Sequence, residues 1–302
     1  MCGIVGLLVK KPELYSRLGE WLVPMLVGMT ERGPDSAGLA VFVPDPDPET
    51  TRLSLYAGSS ATGAAFDWPV FGQSVCSGLD RRAQVDFRHN HATVSFLVPP
   101  EEARTWISER YPALRILASG KNMVLYKDVG LPAEIAGKYR FADFSGSHMV
   151  GHTRMATESA VTPDRAHPFT AGGDFCLVHN GSLSNPHGIR RMLEPHGIHF
   201  DTDNDTEAAC RFLEWRLREG DTLEMAVKRS FQELDGFFTF LMGTAHQLAL
   251  VRDPFACKPA IVAETGDYVA VASEFRSLAH LPGIADADLF EPAPEEVYIW
   301  TA

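Results

Sequence analysis

Cys2-Gly3-Ile4-Val5-Gly6-Leu7-Leu8-Val9 follows directly on Met1. The apolar run Ile4 to Val9 makes residues 2–9 read as a strand. Only six residues long and with no basic stretch before it, the run does not read as a secretory signal. A small residue after Met1 permits removal of the initiator, which leaves Cys2 with both a thiol and a free α-amine. Ordinary pKa values near ~8.5 for the thiol and ~7.7–8.0 for the amine put a nucleophile and a base on one residue.

The chain of 302 residues has a hydrophobic content of 45% and a charged content of 22%, ordinary for a globular protein. Its net charge of −12 argues against nucleic acid and anionic membrane as partners, since phosphate recognition needs basic clusters. Five cysteines without close spacing read as reduced thiols in a cytoplasmic setting rather than a disulfide frame. No stretch approaches the ~20 apolar residues of a membrane span.

Working outward from residues 2–9, a helix is expected over 14–29 and strands over 37–43 and 53–57. Residues 86–139 have a different texture, strand and helix in close succession, and read as a small α+β insertion. Strands resume at 147–152 and 174–179, helices cover 186–195, 205–218 and 223–234, and four strands follow between 237 and 273. Strands in bunches and helices in bunches suggest an α+β fold of stacked layers, sheet on sheet with helices outside.

Four further motifs align with Cys2. Arg32-Gly33-Pro34-Asp35-Ser36-Ala37-Gly38 is a tight charged turn, and His152-Thr153-Arg154-Met155-Ala156-Thr157 sets an arginine just past a strand. Val178-His179-Asn180-Gly181-Ser182 ends a strand with an amide and a glycine, and Asp203-Asn204-Asp205-Thr206-Glu207 opens a helix with acid. Three of them have a plainer reading. Asn-Gly is a common turn pair, Asn204 and Glu207 have capping-box spacing, and Arg154 could be an ion-pair partner. His89 with His91, and His196 with His199, lack acidic or thiol partners at ligand spacing, so no metal site is expected.

Taken in order, from Cys2 to about Leu278, the motifs resemble the class II glutamine amidotransferases, a family with an N-terminal cysteine nucleophile. The resemblance implies a four-layer αββα sandwich spanning residues 2–302. It implies that Cys2 attacks the side-chain amide of L-glutamine to form a thioester, its own α-amine acting as base. Asn180 and the Gly181 N–H would form the oxyanion hole. Arg154 would hold the α-carboxylate and Asp205 the α-ammonium. Thr157 belongs with these substrate contacts, as does Arg32, which would also brace the nucleophile loop. Met155, and Glu158-Ser159, stand where the amidosugar-forming branch has an aromatic residue and His-Gly.

The 86–139 region and Met155-Ala156-Thr157-Glu158-Ser159 look most like the branch serving glutamate-synthase-type enzymes, in particular the amidotransferase subunit of N-methylglutamate synthase. By that resemblance the synthase half is a separate polypeptide carrying flavin and iron–sulfur chemistry, while this chain needs no cofactor. The 28 residues after Glu274 are too few for a second catalytic domain. Two other readings stay open: a regulatory subunit that only binds glutamine, and a hydrolase of other amides with the same N-terminal nucleophile.

Overall fold

The computed structural model describes residues 2–44, 47, 49–58, 65–156 and 161–302. β1 (Gly3–Val9) leads through a 3-10 turn into α1 (Leu18–Gly28), then β2 (Ser36–Phe42) and β3 (Thr51–Ala57). α2 (Trp68–Gly78), β4 (Gln84–Arg88), β5 (His91–Phe96), α3 (Pro100–Arg110) and β6 (Leu114–Gly120) follow. Next come β7 (Met123–Val129), α4 (Pro132–Lys138), β8 (His148–Arg154), β9 (Phe169–Ala171) and β10 (Phe175–Leu183). Three helices, α5 (Pro186–Leu193), α6 (Asp205–Arg218) and α7 (Leu223–Glu233), precede β11 (Gly236–Gly243) and β12 (Gln247–Arg252). β13 (Ile261–Glu264), β14 (Tyr268–Ala272), β15 (Asp288–Phe290) and β16 (Val297–Thr301) complete the order.

β1 lies inside a seven-stranded sheet, β15-β13-β14-β1-β8-β2-β7, stacked on a five-stranded sheet, β16-β12-β11-β10-β9. The unbroken apolar run of β1 has its cause here, because both faces are covered. Val5, Leu7 and Val9 pack outward with Leu22 and Leu26 of α1 and Ile135 of α4. Ile4 and Leu8 point the other way, to Val178, Leu241 and Leu250 of the second sheet. That second sheet turns Leu177, Phe240 and Val251 to Phe212 and Leu213 of α6 and Val227 of α7. The result is the expected αββα sandwich. Gly6 lets the sheets close, since a Cβ there would sit 2.7 Å from Leu241 Cδ2.

The helix expected over 14–29 starts later. Residues Pro12–Arg17 form a 3-10 segment with Pro at its first position, and α1 begins at Leu18. The small additional sheet, β4-β5-β3-β6, draws on residues 51–120 rather than 86–139. Its core sets Leu53, Leu55, Val94 and Phe96 against Trp68, Phe71 and Val75 of α2 and Ile107 of α3. β7 and α4, inside the expected span, instead belong to the main sandwich, where β7 pairs with β2. Two glycines and two serines within the eleven residues of α2 blur its helical pattern. Among the described residues, no helix is long and apolar enough to cross a membrane.

Candidate active site

The site is assembled at one end of the two stacked sheets. Antiparallel pairing sets Gly3 of β1 opposite Thr153 of β8 and Ile4 opposite His152. The next step along that register brings Cys2 to Arg154. β8 also pairs with β2, which places Arg154 opposite Ser36. Two strand partners thus hold the end of β8 carrying Arg154, a side chain only 5% exposed.

Arg32 comes from the turn after α1. Its Nε donates to the Cys2 carbonyl at 2.9 Å and its Nη1 to Glu274 at 2.9 Å. Glu274 in turn accepts from Arg276 at 2.7 Å. From the second sheet, Asn180 on β10 donates its Nδ2 to the same Cys2 carbonyl at 3.2 Å. A primary amide has two N–H groups, so one stays available to a ligand. Beside it, Gly181 adopts φ +153°, and a Cβ there would lie 2.0 Å from the Phe237 carbonyl oxygen and 2.8 Å from the Phe238 Cα. Only glycine fits.

Asp205, first residue of α6, accepts from the Leu183 N–H at 3.0 Å. It is not the cap. Asn204 fills that role by accepting from the Thr206 N–H at 2.8 Å. Glu207 does not close a capping box on Asn204 but reaches back to the N–H groups of Asp201 and Thr202. Asp205, at the positive end of a helix, is close enough for its charge to act on Arg154. Thr157 lies outside the described residues. A cavity of about 860 Å³ opens elsewhere, between β6 and β9; Asp201, Thr202 and Glu207 line it, but Cys2, Arg32, Arg154, Asn180, Gly181 and Asp205 do not.

Burial pushes the Cys2 thiol up from its ordinary range; a backbone hydrogen bond from Met155 and the charges of Arg154 and Arg32 pull it only partly back. The thiol is therefore protonated near neutral pH and needs a base to react. Burial likewise lowers Arg154, opposed by the Cys2, Asp35 and Asp205 charges, and leaves it a guanidinium in a partly dry pocket.

Two residues outside the expected set shape the site. Asp35 accepts from the Ala156 N–H at 2.8 Å, while its own N–H donates to the Arg154 carbonyl at 3.1 Å, so it clamps the chain just beyond Arg154. Gly33 permits this approach, because a Cβ would lie 2.3 Å from the Thr153 carbonyl carbon. Glu274 steadies Arg32 from 242 residues away. No sequence spacing could signal that pair, although Asp35 lay within a motif already noted.

The Glu274 carboxyl is held below its ordinary 4.5, first by the Arg32 hydrogen bond and further by Arg276, against burial. A depressed folded-state pKa stabilises the fold above the unfolded value, and that stabilisation is lost as pH falls through the folded value. Acidification from about pH 5 to about pH 3 is expected to lower the thermal midpoint more steeply in the wild type than in Glu274→Gln. Parallel curves would remove Glu274 from the brace.

With this geometry in place, similarity to known proteins becomes informative. The Glutamine amidotransferase-like protein GlxB of Rhizobium meliloti is 43% identical over 302 residues, covering 99% of this chain and 98% of that protein. The chain belongs to the class II glutamine amidotransferase family. A putative glutamine amidotransferase of Methanothermobacter thermautotrophicus is 30% identical over 309 residues, 99% of each chain. The family described as "Glutamine amidotransferase domain" matches residues 152–280, which include Arg154, Asn180, Gly181, Asp205 and Glu274. Among solved structures, the glutamine phosphoribosylpyrophosphate amidotransferase of Bacillus subtilis superposes with a TM-score of 0.61 at 20% identity. That match covers 99% of this chain and 47% of the other, so this amidotransferase shares its fold and spans about half its length.

Proposed function

We propose that this amidotransferase is the glutaminase subunit of a glutamate-synthase-like complex, closest to N-methylglutamate synthase. The carrying observation is the convergence on Cys2: Arg32 and Asn180 both reach its carbonyl, and the strand register brings Arg154 beside it. Removal of Met1 frees the Cys2 α-amine, which accepts the thiol proton. Sγ bonds to the Cδ of glutamine, and the tetrahedral oxyanion is met by Asn180 Nδ2 and the Gly181 N–H. The C–N bond then breaks, ammonia leaves with a proton returned by the amine, and water releases glutamate from the thioester.

Arg154 addresses the α-carboxylate with a planar pair of donors, a geometry lysine lacks. Asp205 takes the α-ammonium, and Thr157 is assigned to the same substrate. Contacts to both ends of a free amino acid favour glutamine over acylated amides. Ammonia is useful only at an acceptor, because in water it is protonated and lost as a nucleophile. In this proposal the acceptor site lies on a second polypeptide, a flavin and iron–sulfur subunit. Five free cysteines suit a reducing cytoplasm.

The direct test is incubation with L-glutamine, with glutamate and ammonia assayed and Cys2 examined by mass spectrometry for a γ-glutamyl adduct. Purification from the native host is expected to bring down a flavin-containing subunit; isolation without one would count against the complex. A lysine inserted between Met1 and Cys2 blocks initiator removal and should lower hydrolysis by about 10²–10⁴-fold, the worth of a positioned base. Retained activity in the blocked protein would rule out the α-amine.

A further inference from the structure

Beneath the substrate pocket lies a buried polar hub that the reaction as described does not use. The hydroxyl of Thr206, 1% exposed, stands 2.8 Å from His167 Nε2, 3.0 Å from His179 Nδ1 and 3.3 Å from Asp205 Oδ1. The His152 ring stacks on His167 with centroids 4.1 Å apart, and its Nε2 is 3.0 Å from the His179 carbonyl. The hub therefore touches three parts of the site at once. Thr206 adjoins Asp205, His179 adjoins Asn180, and His167 ends the segment that follows Arg154.

Proton accounting gives the arrangement a direction. His152 Nε2 faces a carbonyl and must donate. A threonine hydroxyl offers one proton and two lone pairs. If both His167 Nε2 and His179 Nδ1 donate to it, its proton is free for Asp205 Oδ1. The nitrogens left without partners are then His152 Nδ1, His167 Nδ1 and His179 Nε2, all as lone pairs. The reverse assignment protonates His179 Nε2, which lies near the Phe237 carbonyl but outside hydrogen-bonding geometry. A buried N–H without an acceptor is the costlier arrangement. Burial keeps the three imidazoles uncharged, as this scheme requires.

We infer that Thr206 is a positioning residue for recognition of the substrate α-ammonium, turning the Asp205 carboxylate toward it while anchored by His167 and His179. The inference rests on the proposed roles of Asp205 and glutamine. The Leu183 N–H holds Asp205 Oδ2. Thr206 supplies the matching hold on Oδ1, so the carboxylate plane is set from both sides.

Competitive inhibition of glutamine hydrolysis by L-glutamate and by glutarate tests this, because the two differ only in the α-ammonium. Thr206→Val is expected to raise the glutamate Ki and the glutamine KM about tenfold, with the glutarate Ki and kcat within about threefold, as for loss of a hydrogen bond to a charged group. Thr206→Ser, which keeps the hydroxyl, should stay within about twofold of wild type. If valine prevents folding, Thr206→Ala must show the selective shift that serine lacks. Equal weakening of both inhibitors, no change in either, or a serine variant as impaired as valine overturns the assignment. A wild type that does not hydrolyse glutamine overturns the function itself and this inference with it.

Discussion

Cys2→Ala is expected to abolish glutamine hydrolysis, by about 10⁴-fold or more, while the fold persists. Nothing else in the described pocket replaces its sulfur: Arg32 and Asn180 donate hydrogen bonds, Arg154 is a guanidinium, and Asp205 accepts from Leu183 and Thr206. The fold should survive because Cys2 precedes β1, whose paired residues begin at Gly3, and because its thiol is only partly buried. Ammonia release and circular dichroism on the same preparation check both halves. A wild-type protein should also be inactivated by a glutamine-like diazo ketone that labels Cys2 and no other cysteine. Label on Cys257, the one exposed cysteine among the five, would show mere accessibility rather than a built nucleophile. Hydrolysis above about 1% of wild type in Cys2→Ala would end the thioester mechanism.

The second large effect belongs to a residue without a side chain. Gly181→Ala should lower kcat by about 10²–10³-fold, the range seen when an oxyanion donor is lost. An added methyl would meet the Phe237 carbonyl at 2.0 Å and His179 Nε2 at 2.6 Å. Its backbone, at φ +153°, is one that side-chain-bearing residues rarely adopt. Relief of the clash must move the strand ladder between β10 and β11, in which Gly181 pairs with Phe238. Asn180, one residue earlier, moves with it. The measurement is kcat together with KM; activity within threefold of wild type would show that the peptide at 181 is not a positioned donor.

The residues brought together in the site differ in how readable they were. Arg154, Asn180 and Asp205 could be named because their motifs resemble those of the family; Arg154 ends β8 and Asp205 opens α6, whereas the strand expected to stop before Asn180 runs on to Leu183. Asp35 lay inside a recognised turn, yet its hold on the Ala156 N–H needs the folded approach of two loops. Glu274 gave no signal, since it acts across 242 residues, and Thr206, although inside the fourth motif, looks like an ordinary first-turn threonine. The small sheet was misplaced for a similar reason. β3 looks like any alternating strand, and only its partner tells which sheet receives it.

Local order alone was enough to establish an apolar strand headed by a thiol and helices with polar starts; that the succession of motifs marks an amidotransferase came from its resemblance to a family. The strand and the helices depend on neighbours a few residues apart, where backbone sterics and side-chain periodicity act directly. What needed the tertiary structure was the pairing: β1 beside β8, β7 with the main sheet, Arg32 with Glu274, and one hydroxyl shared by two imidazoles and a carboxylate. Such contacts are selected by burial and by the need to satisfy polar groups away from water, a condition that exists only once distant segments have come together.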